Sequence, residues 1–333
     1  MRRILLGACA ALGLLALGGT AEAQQRNIRV SNGVNQDHPV GNGVAKMAEC
    51  AAQRSNGRLR VQGFWGGALG GDLQATQALR SGTQEMVVTS TSPLVGILPA
   101  LGVFDLPFLV ADEKEADALL DGRVGEDISR RLEGVGLVNL AYWENGFRNA
   151  TNSRRPIQRW EDFNGVRMRV MQNNIFLDTF RNMGANAVPM AFGEVYSALE
   201  TRAIDGQENP YVTIDTSKMS EVQRYLSVTR HAYTPFLVLY SKRLWDQLSA
   251  EDQATLRTCA IEGRDEQRRV SRASEAQSLA NIRRAGMQVN EIAPAELERM
   301  RQQAQTVYQR HAQTIGQDVI EMVQAELRRI RGQ

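Results

Sequence analysis

Apolar and polar residues alternate strictly in Val166-Arg167-Met168-Arg169-Val170. This period of two buries three side chains on one face of a strand and turns both arginines to the other. Similar runs lie upstream: NIRVSNGV (27–34), RLRVQGF (58–64) and QEMVVTS (84–90) each read as a strand. Between them a helix is expected from the His38-Pro39 turn to about Arg54, and a second opens at GGALGGDL with Asp72 as its cap. Strands alternating with helices over short turns predict an α/β fold with a mainly parallel sheet under covering helices. A weak internal repeat, QALRSGTQEMVVTS (77–90) and YSALETRAIDGQEN (196–209), runs each time from a helix end through a tight turn into a strand and a polar loop. It predicts two similar lobes presenting loops to a shared cleft, the kind of place where small ligands bind. From Ser249 the spacing becomes three and four. Ser249 with Asp252 resembles a capping box, Pro294 suits a first helical turn, and residues 297–330 continue as amphipathic helix.

A chain of 333 residues exceeds one ordinary core, which makes two domains the expectation. The amino terminus carries Arg2 and Arg3, an apolar run over residues 4–17, and Ala21-Glu22-Ala23 before Gln24, the layout of a cleaved export signal over residues 1–23. That run is shorter than the ~20 residues of a spanning helix, so a soluble, periplasmic mature protein that does not insert into the membrane is expected. Loss of two arginines and one glutamate with the leader lowers the formal charge from +2 to +1, no footprint for nucleic acid. Cys9 leaves with the leader. Cys50 and Cys259 both fall in helical patterns and read as unpaired, small buried residues. His38, His231 and His311 have no metal-ligand spacing, and no cofactor is expected. The GGALGG run (66–71) lacks the Walker lysine and the Rossmann glycine spacing and reads as a flexible turn.

Arg169 closes its strand, and ligands of open α/β sheets sit outside the carboxyl ends of the strands, where a guanidinium fork matches a carboxylate. The same pattern equally suits a buried ion pair with Glu144, Asp178 or Glu208. Glu194, Asp205 and Glu208 would be the acids of a rival periplasmic enzyme, a hydrolase or isomerase, but no nucleophile elbow or placed histidine accompanies them. A ligand-sensing subunit of a signalling system would keep the same cleft.

Taken in order, WENGFRNATNSRRPI (143–157), WEDFNG (160–165), GVRMRV (165–170) and VPMAFGEVYSALETRAIDGQENP (188–210) resemble the extracytoplasmic solute-binding proteins of tripartite ATP-independent periplasmic (TRAP) transporters, the DctP family. The resemblance covers nearly the whole mature chain. It implies two α/β lobes joined by crossing strands and a long helix, closing on a small organic acid that is passed to membrane subunits, with no catalysis. The lobes would comprise residues 24–145 with about 236–333, which include the carboxy-terminal helices, and residues 146–235, in a monomer. By the same resemblance Arg169 clamps the carboxylate, Arg148 is a second arginine facing the ligand, and Asn209 supports the carboxylate. Phe192 forms an aromatic wall, Asn32 is a polar contact after the first strand, and Asp72 is an acid by the glycine turn. The stretch from Thr89 to Ser92 falls where the first lobe meets ligand, with Thr91 and Ser92 as its named contacts, and Phe236 lies where the lobes rejoin. Small hydroxyls at Thr91 and Ser92 stand where some members, including sialic acid binders, carry a charged residue.

Overall fold

The protein is described by a computed structural model covering residues 25–333; the leader assigned to residues 1–23 lies outside them. Strands β1 (Arg26–Asn32), β2 (Leu59–Phe64), β3 (Met86–Ser90), β4 (Leu137–Asn152), β5 (Arg167–Val170), β6 (Asn186–Pro189), β7 (Gly206–Asn209), β8 (Tyr225–Ser241) and β9 (Gln288–Glu291) form one sheet. Its order is β2-β1-β3-β8-β4-β7-β5-β6, with β9 also on β8. The β1–β3 end and the β5–β6–β7 end are each parallel. Long antiparallel β4 and β8 run through the middle and belong to both ends. All sixteen residues of β4 are buried, as expected of a strand covered on both faces.

Helices α1 (Pro39–Arg54), α2 (Asp72–Ser81), α3 (Glu113–Leu120), α4 (Arg123–Glu133), α5 (Asn174–Asn182), α6 (Val195–Glu200), α7 (Tyr211–Thr216) and α8 (Lys242–Trp245) cover the sheet. They are followed by α9 (Ala250–Arg284), α10 (Pro294–Ile315) and α11 (Gln317–Arg331). Alternation along β3 explains the layering of the first lobe: Val87 enters one apolar cluster with Leu79, Leu237 and Leu239, while Met86 and Val88 enter another with Met47, Trp143 and Tyr240. Two further clusters lie at the other end, one around Met168, Val170 and Phe180, the other around Val195, Leu199 and Ile214. Residues of the carboxy-terminal segment join these second-lobe clusters, Ile292 and Met300 the former, Ile282 and Met287 the latter. The apolar pattern of residues 297–330 is cut in two by Gly316, at φ +108, which only glycine adopts freely.

Helix α9 is the spine. Ser249 caps it by accepting from the Asp252 amide at 3.1 Å, as its spacing predicts. At α1 the two helices touch closely: a Cβ on Gly263 would meet the Gly43 carbonyl oxygen and the Trp143 ring, both at 2.8 Å. Trp143 donates from Nε1 to the Ala260 carbonyl at 3.1 Å, and Gln267 brackets Glu144, donating to its carbonyl at 2.7 Å and accepting from its amide at 2.9 Å. The same crossing corrects the expectation of unpaired cysteines. Cys50 and Cys259 are joined by a disulfide, their Cα atoms 5.4 Å apart across 209 residues of chain. A Cys50→Ala/Cys259→Ala variant is expected to lose about 2–5 kcal/mol, because the crosslink no longer restricts the unfolded chain. Urea titration measures this, and an unchanged midpoint would show the bond to be dispensable.

Candidate functional site

Period-two alternation places Arg167 and Arg169 on one face of β5, but their surroundings differ. Arg167 reaches the exterior and pairs with Asp205, Nη2 to Oδ1 at 2.8 Å. Arg169 is 2% exposed. Its Nε and Nη2 donate to the Met190 carbonyl at 3.0 and 2.8 Å, whereas Nη1 is buried without a hydrogen-bond partner. No carboxylate forms an ion pair with it among the described residues. Burial pulls its guanidinium down to about 10, with the Glu208 charge pulling the other way. The Phe192 ring lies 6.0 Å from the guanidinium carbon.

Arg148, fully buried on β4, is in the opposite condition. Its Nη2 donates to Glu208 Oε1 at 2.9 Å and to Asn209 Oδ1 at 3.0 Å, its Nε bonds Glu208 Oε2, and Nη1 reaches Thr234 Oγ1 at 3.2 Å. His231 Nε2 stands 3.1 Å from the same carboxylate. Burial alone would raise the Glu208 carboxyl, but the charge of Arg148 and hydrogen bonds from His231 and Arg148 hold it at about 2. The ion-pair alternatives thus separate: Glu208 takes Arg148, Glu144 takes Arg272 at 2.7 Å, Asp178 takes Arg310 and His311, and none takes Arg169.

Both arginines open onto one cleft between the lobes. Its outer chamber, about 620 Å³, is lined by Gly33, Asp72, Arg169, Phe192 and Glu194 together with the Gly66-Gly67 turn. A narrow inner chamber of about 30 Å³ adds Asn32, Ser90, Asn145, Arg148, Asn209, Thr213 and Phe236. Gly33, Asp72, Arg169 and Phe192 belong to both. The expected residues Asn32, Asp72, Arg148, Arg169, Phe192, Asn209 and Phe236 are therefore brought together. Thr91 and Ser92 line neither chamber: both are buried, and the Ser92 hydroxyl donates to Asp105, whose other oxygen accepts from Asn173 at 2.6 Å. Asp72 is not the helix cap it was expected to be. Gly71 occupies that position, and the Asp72 carboxylate faces the cleft. Desolvation raises its carboxyl, against the pull of Thr89 and Arg169.

Asn145 and Gly33 were missed by sequence reasoning, and Ser90 lay within the Thr89–Ser92 stretch expected to meet ligand without being singled out. The signal for Asn145 was an asparagine within a long strand run; for Gly33 it was a small residue after Asn32. A Cβ there would come within 3.3 Å of Asp72 Oδ1, crowding the wall of the cleft. Ser90 Oγ, Asn145 Oδ1 and Arg169 Nη1 are all buried and unpartnered around the same chamber. Buried polar atoms are nearly always satisfied, so three orphans on one chamber mark a place built for a polar guest. Of the acids of the enzyme alternative, Asp205 is paired with Arg167 and Glu208 with Arg148, while Glu194 is exposed at the rim.

A family model described as bacterial extracellular solute-binding protein, family 7 (DctP) matches residues 30–314. The sugar acid binding protein DctPAm of Advenella mimigardefordensis, crystallised with galactonate, is 41% identical, with a TM-score of 0.90 over 92% of this chain and 99% of that one. A TRAP periplasmic solute binding protein of a Polaromonas species bound to D-erythronate is 34% identical, with a TM-score of 0.87 over 90% and 99% of the two chains. The 2,3-diketo-L-gulonate-binding periplasmic protein YiaO of Escherichia coli is 35% identical over 275 residues, 83% of this chain and 84% of that protein.

Proposed function

The chain belongs to the DctP family, family 7 of the bacterial extracellular solute-binding proteins, and from that premise we propose that its cargo is a polyhydroxy acid of the sugar-acid class. It is a binding protein of a TRAP transport system and not an enzyme. The observation that carries the reading is Arg169 Nη1, buried at the junction of the two chambers with nothing to bond. A charge held there costs several kcal/mol unless an anion meets it, and a carboxylate meets it best. Around it the Ser90 hydroxyl, the Asn145 carbonyl oxygen and the Asp72 carboxylate offer acceptors to hydroxyl groups, while Phe192 supplies an apolar wall. Galactonate, D-erythronate and 2,3-diketo-L-gulonate, the ligands of three relatives, are chains of this kind.

The leader is removed near Ala23 and the mature monomer works in the periplasm, handing its acid to TRAP membrane subunits. Among the described residues no helix is long and apolar enough to cross a membrane. A thermal-shift screen of the mature protein against aldonates, succinate and aromatic acids tests the cargo. An aldonate at a hundred times its Kd adds about 2.7 kcal/mol to stability. A shift with succinate or an aromatic acid and none with any aldonate would overturn the proposal.

A further inference from the structure

The cleft holds two guanidiniums, yet only that of Arg169 has no carboxylate paired with it among the described residues. Arg169 is the Lys or Arg residue in the lining of the outer chamber, and Arg148 joins it in the inner one. The charge of Arg148 is already met by Glu208, with which both are fully buried. Once a carboxylate is seated on Arg169, the rest of the ligand extends along walls that carry amides, hydroxyls and the acids Asp72 and Glu194. Asp72 lines both chambers, so a ligand extending into either has that carboxylate beside it. Its position is fixed: it opens α2 directly behind the Gly71 cap, and Gly33 leaves just enough space for its oxygen.

We propose that Asp72 is a specificity-determining residue that restricts the cleft to acids with a single carboxylate, accepting a hydroxyl from the body of the ligand and repelling a second carboxylate. Glu208 completes the restriction by occupying Arg148, the cation that a second carboxylate would otherwise use. The inference rests on the sugar-acid reading and goes beyond it, because a six-carbon monoacid and the matching diacid have nearly the same shape and hydroxyl pattern. They differ in charge at one end. Two like charges a few ångströms apart in a partly desolvated cleft repel enough to change affinity on the order of 10- to 100-fold.

Calorimetric titration of the mature protein with two matched pairs, galactonate against galactarate and D-erythronate against meso-tartrate, tests this. The wild type is expected to favour the monoacid of the pair it binds by about tenfold or more. Asp72→Asn, which keeps the shape and removes the charge, is expected to erase most of that preference by raising diacid affinity, while monoacid affinity falls far less. Asp72→Ala is a second variant in which no amide can compensate, and circular dichroism establishes that each is folded. A wild type that binds both members of a pair equally, or a preference that persists in both folded variants, overturns the role of Asp72 and leaves the carboxylate clamp standing. If neither member of either pair binds, the sugar-acid reading fails and this inference falls with it.

Discussion

Arg169→Ala is expected to remove nearly all ligand binding and yet leave a folded protein. The guanidinium is 2% exposed and its Nη1 has no partner, so in the liganded protein it would meet a carboxylate in a water-excluded, charge-assisted pair. Losing such a pair costs about 2–5 kcal/mol, roughly 30- to 5,000-fold in affinity. The effect on the empty protein has the opposite sign. Within the fold the side chain satisfies one acceptor, the Met190 carbonyl, and otherwise keeps an unpaired charge out of water. Its removal should leave the melting temperature unchanged or raised. Arg169→Lys should also bind poorly, because an ammonium cannot span a carboxylate with two parallel bonds. Isothermal titration with circular dichroism measures both halves. A folded Arg169→Ala protein that binds its acid within a few-fold of wild type would take the residue out of the site.

Glu208→Ala should give the converse result, a loss of stability that precedes any question of binding. Glu208 neutralises Arg148 and bonds His231, and all three are buried. Deleting it strands a guanidinium among neutral acceptors, a lesion of about 3–5 kcal/mol. Asn209 would shift as well, since its side-chain oxygen is held by the same Arg148. Glu208→Gln, which keeps the shape, should cost less than the alanine variant. The pH dependence has a definite sign. The carboxyl is held at about 2 in the folded protein, below its ordinary 4.5, so the folded state binds fewer protons between those values. The pair's contribution is therefore complete above about pH 4.5 and is lost as the pH falls towards 2. The gap between urea titrations of wild type and Glu208→Gln should narrow from pH 7 to pH 3, by about half or more. A gap that stays constant across that range would mean that the charge of Glu208 does not stabilise the fold.

Local pattern was enough to find much of this protein. Alternation in VRMRV located β5 and put Arg169 at its carboxyl end; the turn at His38-Pro39 and the cap at Ser249 located α1 and α9. These signals survive in a single sequence because they depend on residues one to four positions apart. The resemblance carried by the 143–210 block supplied the two-lobed fold and six of the residues that line the cleft, Asn32, Asp72, Arg148, Arg169, Phe192 and Asn209, in the same way, as an ordered set of short motifs.

What tertiary structure alone decided is which charges meet. Arg148 and Arg169 are both arginines on buried strands, and nothing within a few residues of either tells them apart. The difference arises because β7 pairs with β4 in the register that sets Glu208 opposite Ala150, beside Arg148 and sixty residues away in sequence, while β5 carries Arg169 to the cleft with no acid at ion-pair distance among the described residues. The disulfide has the same origin: two helical patterns 209 residues apart do not reveal that glycines at 43 and 263 let their helices touch. The exchange of Ser90 for Thr91 and Ser92 at the cleft, and of cap for cleft wall at Asp72, follows from where β3 ends and α2 begins to within one residue. Side-chain direction at a strand end or helix start changes with each residue, and the pairing of distant elements, which no local pattern encodes, selects among those directions.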